Sequence, residues 1–192
     1  AKRELPNYQV FDERRYFTPG QGVCVFQVQG INVGLLICED AWFDEPGHLA
    51  KDAGAELLAV INASPYHVGK GGERIERMRQ GALNTGLPLI YAHNVGAQDE
   101  VVFDGASFVL GADGALAGSA PSFVEDLFFF EANRALVSAK PAQAAIEIVA
   151  KITPERSNEA QLWDALVLGV RDYVTKNGFP STLLGLSGGI DS

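Results

Sequence analysis

Continuous apolar runs alternate with more polar segments through the first half of the chain. The runs are short and rich in aliphatic and β-branched residues, which is typical of buried strands. They predict strands over 23–28, 31–38, 57–61 and 87–92. The segments between them predict helices over 45–54 and 73–85, and Gly54 and Gly86 are expected to end these helices. This alternation indicates an α/β fold in which helices cover a sheet.

Shorter segments with alternating polarity replace this pattern after residue 100. Alternation over 101–110 and a further run over 127–130 predict antiparallel strands. Asp104-Gly105 and Asp113-Gly114 are the expected hairpin turns. Residues 132–145 are rich in alanine and show little periodicity, and we interpret them as a linker.

Helical periodicity returns near the end of the chain. Apolar residues recur at helical spacing at Leu162, Leu166, Val170 and Tyr173. Ser157 or Asn158 is the expected N-cap of this helix, and Asn177-Gly178 its expected end. A strand over 181–186 is expected to run into the final glycine-rich turn.

This pattern divides the chain into two modules. We expect one domain over 1–135, a linker over 136–157 and the start of a second domain over 158–192. The second module would hold only its first helix and strand. The chain also begins without Met and stops directly after a glycine-rich turn, so we expect an internal fragment of a longer protein.

Composition narrows the class of protein. The chain has 192 residues, 47% of them hydrophobic and 20% charged, which excludes a disordered tail. Its net charge of −9 argues against a nucleic-acid binder, because phosphate attraction needs a surplus of cations. No apolar run approaches the roughly 20 residues that span a bilayer, and no secretion signal opens the chain. The two cysteines fit a reducing cytoplasm.

Cys38 is the first candidate for chemistry. It ends a predicted buried strand and is followed by the polar pair Glu39-Asp40, so it can be presented from a rigid scaffold into a cleft. A small core residue is the alternative interpretation. Neighbouring carboxylates raise the pKa of a thiol, so activation would need a cation from elsewhere in the chain. Cys24 lies within a predicted strand and is interpreted as structural.

Lys2 and Glu13 taken alone are typical of solvent-exposed charges. Together with Cys38 they form the pattern Lys-x-x-Leu, Glu-x-x-Tyr-Phe-x-Pro-Gly and Ile-Cys-Glu-Asp-x-Trp-Phe. This pattern resembles the carbon–nitrogen hydrolase, or nitrilase, superfamily. More narrowly, KRELPNYQVFDERRYFTPG, ICEDAWF and NASPYHVGK resemble the glutaminase domain of the glutamine-dependent NAD synthetase family, over most of residues 1–135.

The resemblance implies a four-layer α/β/β/α sandwich with a Glu-Lys-Cys triad. Cys38 matches the nucleophile, Lys2 the residue that stabilises the tetrahedral intermediate, and Glu13 a supporting carboxylate. The backbone N–H of Glu39 is the expected second donor to the oxyanion. The general-base glutamate of the family lies upstream of these motifs, and no residue of this chain is assigned to it.

The resemblance also implies a glutamine site. The matching positions are Tyr8, Ser64, Tyr66 and Lys70. The alternative for the loop that holds Ser64 is ordinary turn chemistry, since Asn, Ser and Pro favour turns. His48, His67 and His93 lack ligand spacing, so we expect no metal site here.

A glycine-rich turn closes the chain. Its residues are Ser187, Gly188, Gly189, Ile190, Asp191 and Ser192. A strand that enters Ser-Gly-Gly can place several backbone N–H groups around an anion, although a surface turn is the simpler alternative. The sequence LSGGIDS resembles the pyrophosphate-binding loop of the adenine-nucleotide α-hydrolase-like, or ATP pyrophosphatase, family. That family adenylates a substrate with ATP and Mg²⁺ and releases pyrophosphate.

The two resemblances together imply an enzyme that releases ammonia from glutamine and passes it to ATP-dependent amidation of deamido-NAD, giving NAD, AMP and pyrophosphate. The expected partners are glutamine, deamido-NAD and ATP, without nucleic acid or membrane, in a cytoplasmic homo-oligomer. Two alternatives remain open. One is a separate carbon–nitrogen hydrolase that acts on another amide or nitrile. The other is a non-catalytic interaction module on a decayed hydrolase fold.

Overall fold

The computed structural model describes residues 2–8, 10–135 and 145–189. The strands in these ranges are β1 (Cys24–Val28), β2 (Ile31–Ile37), β3 (Leu57–Asn62), β4 (Leu89–His93), β5 (Val95–Gln98), β6 (Val101–Asp104), β7 (Phe108–Leu110), β8 (Leu116–Ser119), β9 (Phe130–Ala135) and β10 (Ala145–Ala150). The α-helices are α1 (Asp44–Asp52), α2 (Lys70–Thr85) and α3 (Asn158–Lys176).

The main sheet has six strands in the order β1-β2-β3-β4-β7-β8. β2, β3 and β4 are parallel, and the other neighbours are antiparallel. Parallel neighbours need a crossover connection, which α1 and α2 provide. The predicted strands and helices of this first half are therefore confirmed, as is the hairpin turn between β7 and β8 at Asp113-Gly114.

One face of the main sheet packs against α1 and α2. Leu58 and Val60 of β3 point to this face because side chains alternate along a strand, and they meet Ala50 of α1 and Met78 of α2. All four side chains are at most 1% exposed. The continuous apolar runs of the sequence are explained by this arrangement, since the other face of the parallel strands is also covered.

The second face of the main sheet is covered by β9 and β10, which pair antiparallel. Ile146 and Ile148 of β10 alternate inward and pack with Val33, Leu57 and Val109 of the main sheet. Residues 132–135 and 145–150, which the sequence pattern placed in a linker, therefore lie in the strands β9 and β10. The alanine-rich composition hid a two-residue period that becomes decisive only when a partner strand and a sheet face are present. Residues 136–144 of that linker lie outside the described residues.

A second small sheet of β5 and β6 lies beside the main one. Its hairpin turn is at Asp99-Glu100, where Asp99 has φ 51°, so the hairpin turn predicted at Asp104-Gly105 is wrong. β5 was not predicted because it is short and contains a glycine. The strand predicted over 127–130 is also wrong except at Phe130, where β9 begins; Leu127 is 80% exposed.

Helix α3 packs on this small sheet. Its predicted N-cap is confirmed, since the hydroxyl of Ser157 accepts the backbone N–H of Ala160. Ala165 and Leu168 are the buried residues of the helix, and they pack near Phe123. The apolar positions that predicted the helix are exposed instead; they are Leu162, Leu166, Val170 and Tyr173.

Side chains of α3 also bind the backbone of β5. The carboxylate of Asp172 accepts the N–H of Ala97 at 2.8 Å, and the ammonium of Lys176 donates to the carbonyl oxygen of the same residue. The strand predicted over 181–186 is wrong: these residues form no strand, and Leu183 is fully exposed. A strand needs a neighbour for its backbone groups, and the described residues provide none there. Within the described ranges, no helix is long and apolar enough to cross a membrane.

The contact between α1 and β2 gives a test of this packing. A Cβ atom added at Gly34 would lie 2.9 Å from the Cβ atoms of both Ala50 and Ala55. We expect Gly34→Ala to lower the free energy of unfolding by about 1–3 kcal/mol, because backbone must shift to relieve overpacking. Urea unfolding followed by tryptophan fluorescence measures this change.

Gly81→Ala is the matched control, since nothing lies within 4 Å of a Cβ atom at this position in α2. Removal of a helical glycine should leave stability unchanged or raise it by about 0.5–1 kcal/mol. Equal stability of the two variants would contradict the close approach of α1 to β2.

Candidate active site

Cys38 lies where β2 ends and a 3₁₀ turn over Cys38–Trp42 begins. Its backbone is left-handed, with φ 50°, which is uncommon for a residue with a side chain. The carboxyl ends of the parallel strands β2 and β3 meet at this edge of the sheet, where open α/β sheets form their ligand clefts. β3 ends there at Asn62, and the loop that contains Ser64 follows.

Two cavities meet at Cys38. The larger one has a volume of about 700 Å³, and its other lining residues include Lys2, Leu5, Phe11, Glu13, Phe17, Ile61 and Asn62. The smaller one has a volume of about 120 Å³ and is lined, besides Cys38, by Tyr8, Phe11, Glu39, Trp42, Ser64 and Lys70. The thiol therefore stands between an open apolar chamber and a small polar pocket.

The structure brings Lys2 and Glu13 together in the larger cavity. The ammonium of Lys2 lies 2.6 Å from both carboxylate oxygens of Glu13. The two side chains are 13% and 23% exposed, so solvent screens this ion pair only partly. Lys2, Glu13 and Cys38, which the sequence places up to 36 residues apart, thus share one cavity.

Burial raises the pKa of the Cys38 thiol above its usual range. The Lys2 ammonium and a hydrogen bond from the backbone of Ala63 oppose this shift, whereas the carboxylates of Glu39 and Glu13 add to it. The cation that the sequence required from elsewhere is therefore Lys2. The net direction is upward, so the thiol needs a proton acceptor before it can attack a substrate.

The smaller pocket carries charges of both signs. The hydroxyl of Tyr8 donates to the Glu39 carboxylate at 3.0 Å, and burial together with this carboxylate raises the pKa of Tyr8 to about 12. On the other side, the Lys70 ammonium lies 4.7 Å from the centre of the Trp42 ring and 2.9 Å from Glu73. A small zwitterion matches this arrangement.

Ser64 is held by a buried histidine. Nδ1 of His93 lies 2.9 Å from the carbonyl oxygen of Gly105, which can only accept, so Nδ1 carries the proton in the neutral ring. Nε2 lies 3.0 Å from the backbone nitrogen of Ser64, whose N–H it accepts, and 3.1 Å from the carbonyl oxygen of the same residue. Burial lowers the pKa of His93 to about 4, with the nearby Arg74 cation adding to the effect, so the ring is neutral near pH 7.

A buried ion pair supports the same loop. The guanidinium of Arg74 donates to both carboxylate oxygens of Asp104, at 2.9 and 2.7 Å, and the two side chains are 2% and 4% exposed. Arg74 also donates to the carbonyl oxygen of Ser64 at 3.4 Å. A bidentate pair fixes direction as well as distance, so α2 and β6 together hold Ser64 at the pocket.

Tyr66 is not brought into either cavity at Cys38. Its ring packs edge-on against Phe123 at 5.2 Å, and its backbone N–H donates to the carbonyl oxygen of Val102 at 2.7 Å. Tyr66 therefore joins the loop to β6. Three of the four residues expected to contact glutamine line the small pocket; they are Tyr8, Ser64 and Lys70.

The glycine-rich turn lies away from these two cavities. Gly188 has φ 80°, and the N–H of Gly189 donates to the hydroxyl of Ser187 at 3.3 Å. These residues are exposed and form a bend. Ile190, Asp191 and Ser192 lie outside the described residues.

Two residues at this edge of the sheet make contacts that the sequence did not predict. The side chain of Glu39, considered only for its backbone N–H, lines the small pocket, and its place beside Cys38 was a usable signal. His93 was weighed only as a metal ligand, although its position at the carboxyl end of β4 pointed to the same edge of the sheet. Among the described residues, no three His, Cys, Asp or Glu side chains are grouped to hold a metal ion.

Replacement of Lys2 tests the electrostatics at Cys38. Lys2→Met removes the cation that lowers the thiol pKa and leaves Glu13 without its partner, so we expect a higher pKa and slower alkylation near neutral pH. The rate of alkylation of Cys38 by iodoacetamide is measured against pH by peptide mass spectrometry. In Lys2→Met this rate should begin to rise at a more alkaline pH than in the unmodified protein. Lys151→Met, at an exposed lysine outside both cavities, is the control. Identical profiles for the two variants would contradict the role of Lys2.

Comparison with known proteins shows the family of most of the chain. Residues 1–142 match the carbon–nitrogen hydrolase family. Glutamine-dependent NAD(+) synthetases from Xylella fastidiosa and Acinetobacter baylyi are 46% and 40% identical over the whole chain, which spans only 34% of their length.

Solved structures confirm the predicted nitrilase-like α/β fold. The glutamine-dependent NAD+ synthetase of Acinetobacter baumannii, solved with adenosine diphosphate, matches with a TM-score of 0.87 at 39% identity, over 99% of this chain and 35% of that one. An amidase of the nitrilase superfamily from Nesterenkonia matches with a TM-score of 0.55 at 29% identity, over 62% of this chain and 44% of that one. The chain belongs to the carbon–nitrogen hydrolase family.

Proposed function

We propose that this chain supplies the cysteine nucleophile and the glutamine pocket of a glutaminase. The observation that carries the proposal is the position of Cys38 between the Lys2–Glu13 ion pair and a small pocket with charges of both signs. The match to the carbon–nitrogen hydrolase family and the names of the relatives support the same reaction class.

Glutamine suits the small pocket because its amino-acid end carries one positive and one negative charge. The Glu39 carboxylate would bind the α-ammonium group, with Tyr8 holding that carboxylate in place. Lys70 would bind the α-carboxylate, and Ser64 lies at the same pocket. The side-chain amide would then extend toward Cys38. An amide without the charged end would lose these contacts, which favours glutamine over a simple aliphatic amide.

The chemistry follows from the thiol and its neighbours. The Cys38 thiolate attacks the amide carbon, and the ammonium of Lys2 and the backbone N–H of Glu39 would stabilise the resulting oxyanion. The carbon–nitrogen bond breaks, ammonia leaves with the proton it gains, and a thioester remains. Water then hydrolyses the thioester to give glutamate and the free thiol.

The reaction also needs a general base that takes the proton of the Cys38 thiol. The raised pKa of Cys38 means that a carboxylate must take its proton, and the same group would later activate water. Glu13 is bound through both oxygens to Lys2, so it supports that cation rather than serving as the base. The resemblance assigns the base to a glutamate outside the motifs of this chain.

We further propose that the ammonia is used by an ATP-dependent synthetase module that begins near residue 158. ATP would adenylate deamido-NAD, and ammonia would displace AMP to give NAD. The names of the relatives and the turn at Ser187 support this step. The left-handed backbone of Gly188 suits a turn whose N–H groups face a phosphate. Mg²⁺ would neutralise phosphate charge when it is bound with ATP.

The proposal is tested by an assay of the complete gene product with glutamine, ATP and deamido-NAD. We expect NAD to form, with one glutamate released for each NAD. Hydrolysis of glutamine without NAD formation would support a separate amide hydrolase. Failure to hydrolyse glutamine under any of these conditions would contradict the glutaminase.

Cys38→Ala should separate the two proposed activities. Without the thiol, NAD synthesis from glutamine should fall by at least about 10⁴-fold, as the loss of a nucleophile does in related chemistry. Synthesis from ammonium chloride should continue, because the thiol and the glycine-rich turn lie in separate parts of the chain. Cys24→Ala, at the other cysteine, is the control and should use both nitrogen sources. Loss of both activities in a folded Cys38→Ala protein would contradict the two-site proposal.

A further inference from the structure

Asp40 is a buried carboxylate that the proposed chemistry does not use. It is 3% exposed and lies in the 3₁₀ turn two residues after Cys38. Its Oδ1 accepts the backbone N–H groups of Arg3 and Glu4, both at 2.8 Å, and its Oδ2 accepts that of Ile37 at 3.2 Å. A buried carboxylate is costly unless it is hydrogen-bonded, and here three backbone donors satisfy it.

These three donors come from the two segments that carry the reacting groups. Arg3 and Glu4 directly follow Lys2, whereas Ile37 directly precedes Cys38. A single side chain therefore fixes the backbone beside Lys2 to the backbone beside Cys38. The segment of Lys2 lies outside the strands and helices, so such a contact has a large effect on its position.

Resting on the proposed glutaminase function, we propose that Asp40 is a positioning residue that holds the Lys2 ammonium at Cys38. Asp40 lines neither cavity that meets at Cys38, so it is not placed to touch the substrate. Its oxygens already accept three hydrogen bonds, and it acts on the reaction through Lys2.

Charge and geometry both require a carboxylate here. An asparagine has one acceptor oxygen, so Asp40→Asn can keep the two bonds to Arg3 and Glu4 but turns an NH₂ group toward the N–H of Ile37. Two donors then face each other, and the link between the segments is broken on one side. Asp40→Ala removes all three bonds.

The test is Asp40→Asn in the complete gene product. We expect kcat for glutamine hydrolysis to fall by about 10- to 100-fold, because small displacements of a positioned group cost rate, while KM changes less than about threefold. The alkylation profile of Cys38 should shift to more alkaline pH, as for loss of the Lys2 cation. Glu13 and Glu39, the other charged groups that act on the thiol, are left in place.

Asp113→Asn is the matched control. Asp113 also accepts a backbone N–H, that of Ala115 at 3.0 Å, but it lies in the turn between β7 and β8. This variant should keep the kcat and the alkylation profile of the unmodified protein. Equal behaviour of the two Asp→Asn variants would overturn the proposal.

A double variant separates positioning from a general loss of structure. If Asp40 acts through Lys2, adding Asp40→Asn to Lys2→Met should shift the alkylation profile little further. If Asp40→Asn instead shifted the alkylation profile as far in the Lys2→Met protein as in the unmodified protein, the two residues would act independently, and the proposal would be overturned. If Asp40→Asn does not fold, Asp40→Glu replaces it in the same comparison, because the longer side chain keeps the charge and displaces the segment.

The alkylation readout does not depend on glutamine. Should Cys38→Ala still use glutamine, the proposed function fails, and the comparison of Asp40→Asn with Lys2→Met still decides whether Asp40 positions Lys2. Should the proposed function hold while Asp40→Asn matches Asp113→Asn, only the inference about Asp40 fails.

Discussion

The turn after β2 holds Cys38 in a left-handed backbone conformation, and the surrounding elements act together to keep it there. Such a conformation costs about 1–2 kcal/mol for a residue with a side chain. β2 offsets this cost because it pairs with β1 on one side and with β3 on the other. The Asp40 carboxylate adds a hydrogen bond to the last residue of the strand. The thiol therefore lies in the cleft at the edge of the sheet, where it lines both cavities.

The same edge of the sheet explains why distant parts of the chain form one site. Ser64 follows the end of β3, and His93 is the last residue of β4. Both strands run parallel to β2 and end at the same edge of the sheet, so these residues lie near Cys38. The helix α2 then supplies Arg74, whose buried pair with Asp104 fixes the loop from behind. Rigidity at this edge matters because a thiol with a raised pKa reacts well only when its partners are held close.

Two kinds of charge serve different purposes here. The Arg74–Asp104 pair is buried and bidentate and lies outside both cavities at Cys38, so its effect there is to set the position of the backbone. Glu39 and Lys70 line a cavity, where a substrate can replace part of their present contacts. Lys2 combines both roles, because it is held in an ion pair with Glu13 and also lowers the pKa of the Cys38 thiol.

The sequence was sufficient where a segment carries its own signal. The apolar runs of β2, β3 and β4 and the spacing of α3 predicted these elements correctly, and the motifs around Lys2, Glu13 and Cys38 identified residues that share one cavity. Elements that depend on a partner were missed or misplaced.

The strand β10 and the buried face of α3 show why. Ile146 and Ile148 are two alternating apolar residues at the end of an alanine-rich stretch. This short alternation forms a strand because the two side chains pack on the main sheet. In α3, contact with the small sheet buries Ala165 and Leu168, whereas the apolar residues Leu162, Leu166, Val170 and Tyr173 stay exposed. The position of His93 at the end of β4 indicated this edge of the sheet, but its contacts with Ser64 and Gly105 exist only once the strands are packed together.

The most direct measurement of the central claim is covalent labelling of the complete gene product with a chloroketone analogue of glutamine. The thiolate of Cys38 should displace chloride and form a stable thioether. Peptide mass spectrometry should then find one label per chain at Cys38 and none at Cys24, and an excess of glutamine should prevent the reaction. A label at another residue, or glutamine hydrolysis that continues in fully labelled protein, would contradict the assignment of Cys38 as the nucleophile.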